Sequence, residues 1–222
     1  MVSLSARVTV MAGLWLAGCA DAHARFDEFQ ARASSTGFDA GLVDAGAVDE
    51  TYDGGPCAAP APNSIQGAAL LALDTGFSPG EPILFFGQVD TPAVDGTTGV
   101  HFVYRALDAS DRHTPVGDQL DEGPFPLSAD GALTAALRAA PLAQEANPLN
   151  SGVTIVSQFT LNGHICGVRS FYCGLAPGML ISPVTGTISG RFGITLLAGI
   201  DDIPTRPRYG CDADAFAIPL AK

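Results

Sequence analysis

The sequence predicts an all-β fold, an antiparallel β-sandwich with two disulfides, preceded by a disordered tether. Three observations predict it. From residue 65 onward, apolar runs of strand length are separated by Gly, Pro, Asn and Asp. Gly (26) and Pro (16) are frequent while Lys occurs only once, at Lys222, a balance that suits turns and strands better than helices. Five cysteines are present, an odd number that becomes an even four once Cys19 is set aside. The charged fraction is 15% and the hydrophobic fraction 47%, so the chain has enough apolar side chains for a core. The net charge of −12 disfavours nucleic acid as a partner, because phosphates would be repelled.

The first element is residues 1–18. One basic residue, Arg7, precedes the nine-residue apolar run VTVMAGLWL at 8–16. A run of nine is shorter than the roughly 20 residues that span a bilayer, and it has the layout of a signal peptide. Leu16-Ala17-Gly18-Cys19 then resembles the lipobox of bacterial lipoprotein precursors. The resemblance covers only about the first 19 residues. It implies cleavage before Cys19, diacylglycerol on the Cys19 thiol, and a lipid anchor in the bacterial envelope. Two or more acyl chains give stable anchoring where one is marginal. Ala20, where an Asp would favour retention in the inner membrane, points by the same resemblance to the outer membrane.

Residues 19–62 read as the lipidated N-terminus and a tether. Ala22, Phe26, Phe29 and Ala33 form one stripe of a short helix over 21–35. Residues 36–63 are rich in Ala, Asp, Gly and Pro, with Asp-Ala-Gly at 39–41 and 44–46. Such a composition buries too little surface to offset its ordering entropy. As a flexible coil the tether would reach about 35 Å. Its Asp and Gly residues lack the ligand spacing of a calcium loop.

Residues 63–222 form the expected sandwich. Strands are predicted at 68–73, 82–89, 100–107, 125–127, 132–137, 153–161, 186–189, 192–198 and 215–219. Val100, Phe102 and Tyr104 alternate with His101, Val103 and Arg105. Asp130-Gly131 is a hairpin turn signal. Helix is plausible only over 133–146, where Pro141 interrupts it. The stretch from Gly87-Gln88-Val89-Asp90 to Gly99 and Tyr104 resembles the start of carboxypeptidase-regulatory-like or immunoglobulin-like modules. That likeness, over some 20 residues, supports a Greek-key or immunoglobulin-like sandwich and nothing more specific.

In an exported chain, Cys57, Cys166, Cys173 and Cys211 read as two disulfides, with three possible pairings. Cys166 and Cys173 flank a short glycine-containing loop, so Cys166–Cys173 and Cys57–Cys211 are the expected pairs, the second clamping the domain's two ends together. A zinc site built on His164, Cys166 and Cys173 is the alternative, but the usual close-spaced pairs are absent. No nucleophile elbow, zinc-protease, phosphate-loop or dinucleotide motif occurs, so no catalytic residue, metal or cofactor is assigned. The acids near His113 (Asp108, Asp111, Asp118, Asp121, Glu122), with Asp201-Asp202 and Asp212/Asp214, form the one non-bland signal, consistent with a cation site or a solvated charged loop. The expected function is a non-enzymatic, membrane-anchored envelope protein that binds a protein or glycan. A calcium-dependent binding module, or a hydrolase whose site forms only in the fold, is the alternative.

Overall fold

The computed structural model describes residues 57–76, 78–148 and 153–220. The expected signal segment 1–18, Cys19, the 21–35 helix and most of the 19–62 tether lie outside them. The described chain is antiparallel β throughout, as expected, with two disulfides and two short 3₁₀ turns.

Eight strands form a ring in which each pairs with its sequence neighbour. In order these are β1 (Gln66–Asp74), β2 (Ile83–Asp90), β4 (Thr97–Leu107), β5 (Pro115–Pro126), β6 (Ala132–Ala136), β8 (Ile155–His164), β9 (Phe171–Leu175) and β12 (Arg191–Leu197). Ladders, with two register shifts in that of β4–β5 and two pairs in that of β8–β9, join all neighbours except β5 and β6. At that seam a single bridge, Leu127 with Leu133, completes the circle. The facing walls of the expected sandwich are therefore one sheet curled until its edges meet. Small additions hang from the ring: β3 (Ala93–Val94), β7 (Ala140–Leu142), and the β10 (Gly178–Ser182) and β11 (Gly186–Ile188) pair.

Alternation fixes which face is inside. Val100, Phe102, Tyr104 and Ala106 of β4 point inward and are buried, as do Leu71 and Leu73 of β1, Leu133 and Ala135 of β6, Phe159 and Leu161 of β8, and Phe192 and Ile194 of β12. The tight bend at β8 and β9 depends on two opposed glycines, Gly163 and Gly174. A Cβ on Gly174 would lie 2.7 Å from the Phe192 ring. Phe192, 1% exposed, fills the space that the missing side chains leave. Glycine kinks of this kind let a sheet curl sharply.

Strand β1 is buried on both faces. Its outer residues Leu70 and Ala72, with Leu84 and Leu107, are covered by Ile203, Ile200 and Tyr209 from the C-terminal strap, residues 199–220. The strap folds back on itself through Arg208 with Phe216, Tyr209 N–H to Ala215 O (2.9 Å) and Ala217 N–H to Pro207 O (2.8 Å). The strand predicted at 215–219 is thus only an isolated bridge within the strap. A Cβ at Gly193 would run into the Arg208 carbonyl, so this glycine lets the strap lie close.

Other differences from the sequence reading have physical causes. The plausible helix over 133–146 is replaced by β6, β7 and one turn of 3₁₀ helix, Gln144–Ala146, because strand β8 offers an open edge to both segments. Pro141 sits on the edge strand β7, where its missing N–H is tolerated. The disulfide pairing is also corrected. Cys57 bonds Cys166 and Cys173 bonds Cys211, in place of Cys166–Cys173 and Cys57–Cys211. The hairpin register is the reason. Gly163 opposes Gly174, so Cys173 falls opposite the level of His164 rather than of Cys166. Cys166 instead leaves β8 beside the incoming chain, where Gly167 N–H donates to Ala58 O (3.0 Å).

Replacing Phe192 by Ala would strip the cover from the glycine bend, with an expected loss of about 3–5 kcal/mol. Urea unfolding of the oxidised domain measures it. A loss below about 1 kcal/mol would show that the bend does not depend on this ring.

Candidate functional site

The clearest side-chain constellation lies on the outer face of β2, β4 and β5, and a turn builds it. Asp95 (φ 47°) and Gly96 (φ 82°) both adopt left-handed backbone, as a two-residue hairpin turn requires. This turn opposes Val94 to Thr97 and Ala93 to Thr98, and the same register carried outward opposes Asp90 to His101. His101 Nδ1 lies 2.9 Å from Asp90 Oδ1, and its Nε2 lies 2.8 Å from Asp121 Oδ1 on β5. A neutral imidazole has one N–H and one lone pair, so it satisfies only one carboxylate. Meeting two at hydrogen-bond distance requires the imidazolium. Consistently, the Asp121 carboxylate, the largest influence, together with Asp90 holds the His101 pKa above its ordinary value of 6.5, against the opposing effect of burial. The side chains are 26% (His101), 43% (Asp90) and 67% (Asp121) exposed, so solvent screens the pairs.

Asp121 also belongs to the barrel seam. Its carbonyl accepts from Arg138 Nη2, just beyond β6. The next residue, Glu122, points inward and its side chain is only 7% exposed. Its carboxylate accepts from Arg138 Nε at 2.8 Å. Two strands joined by a single backbone bridge are thus also joined by one arginine. Tyr104 faces the same interior, with its ring edge-on to Phe85 (5.2 Å), and burial first and then Glu122 push its hydroxyl pKa up.

A small pocket of about 60 Å³ opens at one end of the barrel, between the β1–β2 loop and the β4–β5 turn. Glu81, Asp108, Arg112 and Leu220 are among its walls. Arg112 is buried, adopts left-handed backbone (φ 59°), and donates from Nη1 to Ile218 O (2.8 Å), which pins the strap's end.

The acids singled out in the sequence do not converge. Asp111 receives N–H bonds from His113 and Thr114 and caps its own turn. Asp121 and Glu122 lie on β5 with opposite facing, and Asp212 pairs with Arg191. Among the described residues no group of three or more His, Cys, Asp or Glu is arranged to hold a metal ion. Cys166 and Cys173 belong to different disulfides, which removes the zinc alternative with His164. His101 meets two carboxylates, but both ring nitrogens are engaged, so neither is open to take a proton from a nucleophile. Sequence reasoning missed the Asp90–His101–Asp121 clamp and the Glu122–Arg138 pair. The Asp95-Gly96 turn was the signal for half of the clamp, since it sets Asp90 against His101. Nothing local pointed to Asp121 or Arg138.

No protein-family model matches the chain, and neither a curated protein nor a solved structure is detectably similar to it.

The clamp gives a signed pH dependence. A pKa raised on folding contributes stability that is complete below 6.5 and is lost as pH rises through the raised value. His101→Gln should therefore be less stable than the wild type near about pH 6, by under about 1 kcal/mol for so exposed a group, with the gap closing in alkali. Thermal unfolding across that range reads the gap. A gap independent of pH, or one that widens in alkali, contradicts the clamp.

Proposed function

We propose that the chain is an exported bacterial lipoprotein, held in the envelope by lipid on Cys19, with a non-enzymatic barrel that binds or scaffolds a protein or glycan. One observation carries this reading. Cys57, Cys166, Cys173 and Cys211 are all consumed in disulfides, which persist in oxidising compartments outside the cytosol. Cys19 is the one cysteine left over, and it stands at the lipobox position. The Ala20 that follows favours the outer membrane.

The direction of the strands gives this reading a geometry. The chain enters the barrel at Cys57, beside the 165–170 loop and the Asp130-Gly131 turn, where Ala59 N–H donates to Ala129 O (3.1 Å). A lipid tether attached there leaves the other end of the barrel clear of it. That opposite end carries the β10–β11 pair and the strap's end, with Met179 (48% exposed), Ile181 (39%), Ile218 (53%) and Leu220 (38%). Exposed apolar side chains at that end suit a binding surface, and Val168 (64% exposed) adds one at the end where the chain enters.

Cys19→Ser tests the anchor. The variant should leave the membrane fraction for the soluble periplasmic fraction and take up no labelled fatty acid. Membrane retention with undiminished label would overturn the reading.

A further inference from the structure

We propose that β5 is the movable stave of the barrel and that the bridge from His101 to Asp121 is the latch that keeps it closed. Strand β5 has an interrupted backbone hold on one side and a single bridge on the other. Its ladder to β4 is interrupted by two register shifts, between Val100 and Phe102 and between Tyr104 and Ala106. Between those shifts only Leu120, Asp121 and Glu122 are in register, against Tyr104, Val103 and Phe102. On its other side it has the single Leu127 to Leu133 bridge. Most of its residues are exposed, so little apolar burial holds it.

Side chains replace the missing ladder. Arg105 donates from Nε and Nη2 to Gly117 O (3.2 and 2.7 Å). Arg138 holds both the Asp121 carbonyl and the Glu122 carboxylate. His101 ties Asp121 across β4 to Asp90 on β2. The Arg138 and His101 contacts converge on the dipeptide Asp121-Glu122, and Arg105 holds the strand nearer its start. Of the charged groups near His101, Asp90 faces it from β2 and Asp121 from β5. Arg105, on the same face of β4, is turned to Gly117 O, and Glu122 points inward to Arg138. Loss of the imidazolium proton leaves one ring nitrogen facing a carboxylate oxygen with no hydrogen between them. The clamp that ties β5 across β4 to β2 then loses one of its two links while the rest of the ring keeps its ladders, so the interior beside Tyr104 and Glu122 opens at this seam in alkali and closes in acid.

Hydrogen exchange followed by mass spectrometry tests this on the oxidised full chain, at about pH 6 and about pH 9. After correction for intrinsic exchange, peptides covering 115–126 should lose protection at the higher pH by at least about twofold, while peptides covering β1 and β12 do not change. In His101→Gln, 115–126 should show the lower protection at both pH values. Should that variant fail to fold, Asp90→Asn keeps the imidazole and removes one partner, and should reduce the pH response. Three results would overturn the proposal: protection of 115–126 that does not change with pH, an equal change in β1 and β12, or a full pH response surviving in the variants, which would assign it to His113 or His164.

Discussion

The β8–β9 hairpin carries the constraint on which the rest of the domain's arrangement depends. It holds two cysteines, and each reaches a different end of the chain. Cys166 bonds Cys57, where the chain enters, and Cys173 bonds Cys211, in the strap through which it leaves. The loops closed span 109 and 38 residues and do not overlap. In the chain-entropy model they contribute about 5 and about 4 kcal/mol, more than one local loop would give. Thr98 Oγ1, donating to the Pro60 carbonyl at 2.7 Å, and Thr91, paired with Ile65, seat the entering segment across one end of the barrel. The hairpin thus fixes where the described chain enters the barrel and where the strap lies.

The strap explains a feature of composition. A strand on a barrel with a solvated outer face should alternate apolar and polar residues. Strand β1 reads QGAALLALD instead, because the interior takes Leu71 and Leu73 while the strap covers Leu70 and Ala72. Strand β5 is the converse case. Most of its residues are exposed, and its polar sequence leaves it held by side chains from β4 and from the end of β6. The ring therefore has one wall fixed by double-sided burial and one seam fixed by charge. Burial changes little with pH, whereas the hold of an imidazolium on two carboxylates depends on it.

Much of the fold was legible because alternation and turn chemistry agree. Val100, Phe102 and Tyr104 against His101, Val103 and Arg105 marked β4, and Asp130-Gly131 marked the β5–β6 turn. What escaped did so for identifiable reasons. In β5 the inward position opposite Phe102 is Glu122, and two register shifts break the period of two, so the segment reads as an acidic loop. Strand β9 is five residues, Phe171–Leu175, and the spacing of Cys166 and Cys173 suggested a closed loop in its place. The pairing error came from weighing closeness in sequence above hairpin register, which Gly163 and Gly174 set. The candidate site was half legible. A two-residue turn at Asp95-Gly96 fixes Asp90 against His101, but Asp121 and Arg138 arrive by tertiary structure alone.

The proposed address and the point where the chain enters the barrel both draw on how the cysteines divide. Peptide mapping of the oxidised, unreduced protein by mass spectrometry measures that division directly. Cys57 should be recovered linked to Cys166 and Cys173 linked to Cys211, with no free thiol among the four. Recovery of Cys166 linked to Cys173, or of four free thiols, would contradict it.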